Sequence, residues 1–220
     1  MVKSNVGELH MLNSGVKPAL QGRSKRRRDE LINTGMKLMC EKSFDDISII
    51  ELTAKCGYSV GTFYSRFEDK ESFFNAVQKT AVVEILDIIA AAFASPSWKS
   101  ASKADILSEV VRISVNNMSG IHKGIIQASI VMSASTPEVW EPMRECGQAV
   151  AKILCDLLQN WFLDDEPEKS RASIYFGLQM CYGTLIQAAL NNPGPVKLTD
   201  PAMGKNLTYM LTRYVDLKPD

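Results

Sequence analysis

The sequence is poor in the features that mark secreted, metal-bound and membrane-spanning chains. Its 220 residues hold five cysteines, Cys40, Cys56, Cys146, Cys155 and Cys181. The odd count and the lack of any CxxC spacing argue against a disulfide framework and a structural zinc site. The cysteines read instead as small buried hydrophobes, with a redox-sensing role for one of them as the alternative. The two histidines, His10 and His122, have no partner motif nearby. No run of eighteen apolar residues occurs, so no membrane span is expected. The opening MVKSNVGELHMLNSG lacks the apolar stretch of a secretory signal, so the expected location is the cytoplasm. Paired carboxylates, a nucleophile–base pair and a phosphate-cradling loop are also missing, so neither an enzyme nor a cofactor is expected.

Charge of one sign is lacking only on average. The chain has 25 basic and 25 acidic residues. Residues 1–28 nevertheless carry seven of the basic ones (Lys3, Lys17, Arg23, Lys25, Arg26, Arg27 and Arg28) against one acid, Glu8. A basic head on an acidic body suggests a polyanion partner at one end, while a solvated tail is the bland alternative.

What is present is helical periodicity. Strand-like alternation is hard to find, and from Ser24 onward apolar residues recur three and four apart. A first helix is predicted over Ser24–Glu41. Ser48, with Glu51 three residues later, reads as a capping box opening a short second helix, and Ile47 and Leu52 flank it as a hydrophobic staple. Gly57 allows a turn with positive φ, Ser59 caps a third helix carrying Phe63 and Phe67, and Asp69 caps a long fourth helix reaching about residue 94. Five further helices are predicted at 101–118, 121–134, 137–163, 167–191 and 201–216. The fold class is therefore all-α: a three-helix N-terminal unit, then a larger helical bundle.

Two short capped helices joined by a glycine turn make a helix-turn-helix, whose second helix enters the major groove of DNA. With Phe63 and Phe67 turned inward, Val60, Gly61, Tyr64 and Ser65 face outward, flanked by Thr62 and Arg66. Gly61 is the informative oddity. Glycine inside a helix costs about 1 kcal/mol relative to alanine, and close backbone approach to a ligand is the usual reason to keep it. Ser48 and Ser59 stand at helix N-termini suited to phosphates. Lys70 sits in a first turn that disfavours cations, which fits a phosphate contact better than helix stabilisation. Arg23, Lys25, Arg26 and Arg27 belong to an arm able to reach a minor groove or the phosphates.

The run from Leu52 to Glu71 resembles the signature of the tetracycline-repressor-like (TetR) transcriptional regulators. The match runs through Gly57, Ser59, Gly61-Thr62, Tyr64, Phe67 and Lys70. Thr53, Gly35 and Ser43 depart from the usual alanine, alanine and glycine. The resemblance implies that Ser48, Ser59, Thr62, Tyr64 and Lys70 hold phosphates, that Val60, Gly61 and Tyr64 lie nearest the bases, and that Arg66 holds a phosphate or a base. Residues 1–22 mix Ser, Asn, Gly and Pro without periodicity and read as a disordered basic arm, and the resemblance implies a DNA-binding domain at 23–72 (motif 48–67, with the linking helix continuing to about 94) followed by a ligand-binding and dimerisation domain at 73–220.

One reading head contacts too few base pairs to select a site in a genome, so a homodimer on a palindromic DNA operator is expected. The apolar stripes Ile174, Leu178, Cys181, Leu185, Ala189 and Leu207, Met210, Leu211, Tyr214 are candidate seams, with the chain's own core as the alternative. The resemblance further implies a repressor released by a small-molecule effector, with the fourth helix as lever. The effector is expected to be apolar or aromatic and lined by Met118, His122, Ile126, Met132, Trp140, Met143, Tyr175, Gln179 and Tyr182. The rival readings are a non-specific nucleoid-type DNA binder, disfavoured by the zero net charge, and a helical enzyme.

Overall fold

A computed structural model describes residues 22–219, with side chains from residue 24. The arm expected at 1–22 lies outside the described residues apart from Gly22, as does the side chain of Arg23. Among the described residues the regular structure is helical: α1 (Gly22–Glu41), α2 (Ile49–Lys55), α3 (Val60–Tyr64), α4 (Lys70–Ala92), α5 (Lys103–Ser119), α6 (Lys123–Ser133), α7 (Glu141–Leu158), α8 (Pro167–Asn191) and α9 (Pro201–Tyr214). No helix there is long and apolar enough to cross a membrane. The chain divides after Thr80 into two compact units.

The first unit closes on an aromatic cluster. Phe63, Phe67, Phe73 and Phe74 are buried together with Leu31, Leu38, Ile47 and Leu52. Phe67 and Phe73 meet edge to face at 5.0 Å between ring centroids, and Phe63 lies 5.2 Å from Phe67 and 5.5 Å from Phe73. Such pairs add to the area they bury. α3 is shorter than predicted: it ends at Tyr64, and Phe67 enters the core from the turn that follows.

The departures from the family pattern have local causes. A Cβ on Gly35 would lie 2.5 Å from Phe73 Cζ, so glycine lets α4 come close to α1. Thr53 Oγ1 donates to the Ile49 carbonyl at 2.8 Å, a back-bond within the helix. Ser43 donates to the Asp46 carboxylate at 2.6 Å. Gly57 adopts φ +69°, where a side chain would be strained. The capping box at α2 is only half made. Ser48 Oγ accepts from Glu51 N–H at 3.1 Å, but the Glu51 carboxylate pairs with Lys42, which holds its pKa below the usual range.

The second unit packs α5 against α7, α8 and α9. Val82, Ile85, Leu86 and Ile89 of α4 join its core. The helix predicted over 137–163 is in fact three pieces: a 3-10 turn at Pro137–Trp140, α7, and a 3-10 turn at Gln159–Trp161. Pro142, second in α7, has no N–H to bond back and its ring excludes the preceding helical turn. Buried Ser170 ties α8 to the chain's last residues, accepting from Leu163 N–H and donating to the Asp216 carbonyl at 2.7 Å.

The stripes named as candidate dimer seams serve the chain's own core. Ile174, Leu178, Cys181, Leu185, Ala189, Leu207 and Leu211 are buried, and Met210 packs half-buried against them. At Gly177 a Cβ would come within 2.6 Å of Leu211, so α8 and α9 touch along this face. The large apolar residues left outside are Tyr175, Phe176 and Leu190 on α8 and Tyr209 and Tyr214 on α9. Phe176 follows Ile174 by two residues, roughly 200° around the helix at 3.6 residues per turn.

Candidate functional site

The first unit presents α3 as its outer element. Val60 is 36% exposed and Tyr64 47%, and Gly61 lies exposed between them. Phe63, on the opposite side of the same helix, is fully buried and meets the Tyr64 ring edge-on at 5.4 Å. A Cβ at Gly61 would meet only Ser59 Oγ, at 3.7 Å. Nothing inside the protein therefore requires glycine here. The space it leaves open is outside the molecule, where a backbone-to-ligand approach would use it.

Ser48 and Ser59 are the exposed N-cap residues of α2 and α3. Ser59 does not cap with its side chain; its hydroxyl faces that of half-buried Thr62 at 3.2 Å. Arg66 is folded back more than predicted. Its Nη1 donates to the Ser65 carbonyl at 2.9 Å, and its Nε is buried with no hydrogen-bond partner among the described residues. An orphaned donor of this kind costs about 1–3 kcal/mol, which favours any rearrangement that gives it an acceptor. Lys70 is likewise engaged: its ammonium donates to the Asp45 carbonyl at 2.9 Å and lies 4.7 Å above the Phe44 ring. Lys70 thus ties the α1–α2 loop to α4, with two of its three donors left for an anion.

The basic cluster falls inside the first helix, as the prediction of a helix from Ser24 implies for Lys25, Arg26 and Arg27. Arg23, Lys25, Arg26 and Arg27 lie in the first turns of α1. Arginine and lysine are good helix formers, and Arg26 pairs with Glu30 one turn on at 3.0 Å. Arg27 lies 5.6 Å above the Tyr58 ring, whose hydroxyl donates to Glu30. Lys25 and Arg26 are exposed. The first turn of α1 carries no acid, so its basic residues add to the positive end of the helix dipole. Helix, turn and basic cluster together offer what a polyanion needs: a protruding ridge without side-chain bulk at its centre, flanked by hydroxyls and cations.

The second unit holds a cavity of about 580 Å³. Of the residues named as candidate effector contacts, Met118, Ile126, Trp140, Met143, Tyr175, Gln179 and Tyr182 line it. His122 and Met132 do not. The His122 ring is turned away to Asn117 and Glu84, each 3.1 Å from one ring nitrogen, and Met132 lies half-buried elsewhere on α6. Sequence reasoning missed Ile85 and Ile89 of α4, Ser114 and Asn117 of α5, and Arg144 and Gln148 of α7. Their place at the cavity depends on where α7 starts and how α4 packs, and the periodicity alone carries neither.

Burial pushes the Tyr182 phenol well above its ordinary range, against a smaller opposing effect of a hydrogen bond with Ser114. Burial also pushes the Cys146 thiol up to about 12 and the Cys181 thiol up to about 11. These groups are neutral near pH 7, so the cavity wall contributed by Tyr182 and Cys146 is uncharged and unreactive. Among the described residues no group of three His, Cys, Asp or Glu side chains is placed to hold a metal.

Residues 31–77 match the family model of bacterial regulatory proteins, tetR family. No curated protein matches the sequence. Solved structures share the whole helical plan at low identity. A tetR-family transcriptional regulator from Streptomyces coelicolor superposes with TM-score 0.66 at 17% identity, over 86% of this chain and 79% of its own. A transcriptional regulator from Cytophaga hutchinsonii gives TM-score 0.66 at 14% identity, over 90% of this chain and 100% of its own. The fatty acid degradation regulator FadR from Bacillus halodurans gives 0.59 at 19% identity, over 84% and 94%.

Proposed function

We propose that the chain, whose residues 31–77 match the model of the tetR family of bacterial regulators, is a cytoplasmic repressor of that family that binds a palindromic operator as a homodimer and leaves it when a small molecule fills the second unit's cavity. The observation that carries the reading is the outward triad Val60, Gly61 and Tyr64, in which the central residue has no internal reason to be glycine. Ser48, Ser59, Thr62, Arg66 and Lys70, with Lys25, Arg26, Arg27 and Arg23 of α1, are assigned to the phosphates around it.

The exposed strip formed by Phe176, Leu190, Tyr209 and Tyr214 supports pairing through α8 and α9. Exposed aromatic surface of this kind is characteristic of an interface. Two heads in a symmetric pair then read half-sites about 34–36 Å apart, or a multiple of that. Release requires the effector to prefer the non-binding arrangement, and α4, which gives Ile85 and Ile89 to the cavity lining, is the element whose setting it biases. A non-specific DNA binder is disfavoured by the zero net charge, since such proteins depend on many phosphate contacts.

The test is selection of DNA fragments by the purified protein from a random library, followed by sequencing. An inverted repeat with fixed spacing is the expected product. Recovery of fragments with no shared sequence, at an affinity set by salt alone, would make the protein a non-specific binder instead.

A further inference from the structure

We infer that the effector is an amphipathic organic anion: a carboxylate or similar group on an apolar or aromatic body, with Arg144 as the residue that selects the charge. This rests on the reading of the cavity as the effector site. Of all the side chains lining the cavity, Arg144 is the only one that carries a charge. It is exposed, at the place where the cavity meets solvent. Among the described residues it makes no hydrogen bond or ion pair, whereas Arg112 and Arg171 are each paired with an acid three residues away. Glu141 and Glu145 are its neighbours in sequence, yet neither lines the cavity.

The rest of the wall determines what the anion is attached to. Ile85, Ile89, Met118, Ile126, Trp140 and Leu178 give an apolar body a dry surface. Gln148, one helical turn beyond Arg144, and Gln179 add neutral amide donors and acceptors. The guanidinium offers a planar fork of donors that suits a carboxylate, and its attraction strengthens where the ligand body excludes water. A cationic ligand of the same shape meets an arginine and no acid, so it is repelled. A neutral ligand gains the apolar wall alone. The cavity therefore discriminates by head group rather than by body.

The experiment is calorimetric titration of the full chain with three probes that share one alkyl tail, decanoate, 1-decanol and decylamine, all kept below their aggregation concentrations. Decanoate is expected to bind at least tenfold more tightly than 1-decanol, and decylamine more weakly than both. Arg144→Gln is expected to bring decanoate down to the affinity of 1-decanol while leaving 1-decanol unchanged, and Arg144→Lys to recover part of the difference. Equal binding of the alcohol and the acid, an amine that binds best, a head-group preference surviving in Arg144→Gln, or no binding of decanoate overturns the inference. Ile126→Trp, which fills the cavity, separates the two layers of the reading. If all probes lose affinity in that variant but head groups are not distinguished in the parent, the cavity remains the effector site and only the anion is wrong. If Ile126→Trp binds decanoate as the parent does, the cavity is not the site and both readings fall.

Discussion

His122 Nε2 stands 3.1 Å from Glu84 Oε2 although the imidazole is only 2% exposed, and the same ring's Nδ1 stands 3.1 Å from Asn117 Oδ1. The histidine thus joins α4 to the end of α5 just before α6 begins. Removing it strands two polar partners, of which Glu84, partly exposed, is the more easily rehydrated. His122→Leu should therefore lower unfolding stability by about 1–3 kcal/mol, the range for orphaning buried hydrogen-bonding groups. A urea midpoint indistinguishable from the parent would show that the ring is not structural.

Gly61 and Gly35 predict opposite outcomes for the same substitution. Gly61→Ala meets open space and gains helix propensity, so folding should be unchanged or stabilised by up to about 1 kcal/mol. Operator affinity should nevertheless fall, because the proposed reading turns the new methyl towards the DNA. A thermal melt and a gel shift on one preparation check both halves, and unchanged affinity would remove Gly61 from the interface.

Gly35→Ala places a methyl 2.5 Å from a Phe73 ring that is itself wedged against Phe63 and Phe67. Overpacking of a tight core costs about 1–3 kcal/mol, which exceeds the gain of about 1 kcal/mol in helix propensity. The variant should unfold at lower urea than the parent. Phe73→Leu in the same background should relieve the clash, and the two changes should be non-additive.

Tyr64→Ala removes an exposed ring and should weaken operator binding while leaving folding and assembly intact. Affinity within twofold of the parent would place the groove elsewhere. Neutralising Lys25, Arg26 and Arg27 together should flatten the dependence of log affinity on log salt by roughly 0.9 for each phosphate no longer neutralised. Deleting residues 1–21, with only Lys3 and Lys17 as bases, should flatten it less. The reverse order would return the charge contribution to the segment ahead of α1.

The buried thiols predict a chemical pattern. Cys40 is exposed, whereas Cys146, Cys155 and Cys181 are buried, with Cys146 raised from 9.0 to about 12. A disulfide reagent at neutral pH should label Cys40 promptly and those three only on unfolding. Because the folded Cys146 holds its proton to higher pH than the unfolded chain, its stabilising contribution is complete below pH 9 and is lost as pH rises from 9 towards 12. Loss of stability on going from pH 7 to pH 8 would need another cause.

Local signals in the chain determined the reading head. A serine cap, a glycine that tolerates positive φ, and phenylalanines spaced to fall on one side act within a few residues of one another, and α2, the Gly57 turn, α3 and the inward Phe63 were all legible from them. α8 was equally legible, bounded by Pro167 and by the left-handed Asn192. Its partners were not. Ile174 and Leu178 form a stripe that would suit a second copy or the chain's own core, and only packing against α9 through Gly177 decides for the core. The same holds for Arg144, which the structure sets at the mouth of the cavity although the periodicity of α7 does not single it out. Periodicity fixes which residues share a face of a helix, because the rise and turn per residue are constant. What that face meets depends on how distant helices dock, and that is settled by shape and volume across the whole core.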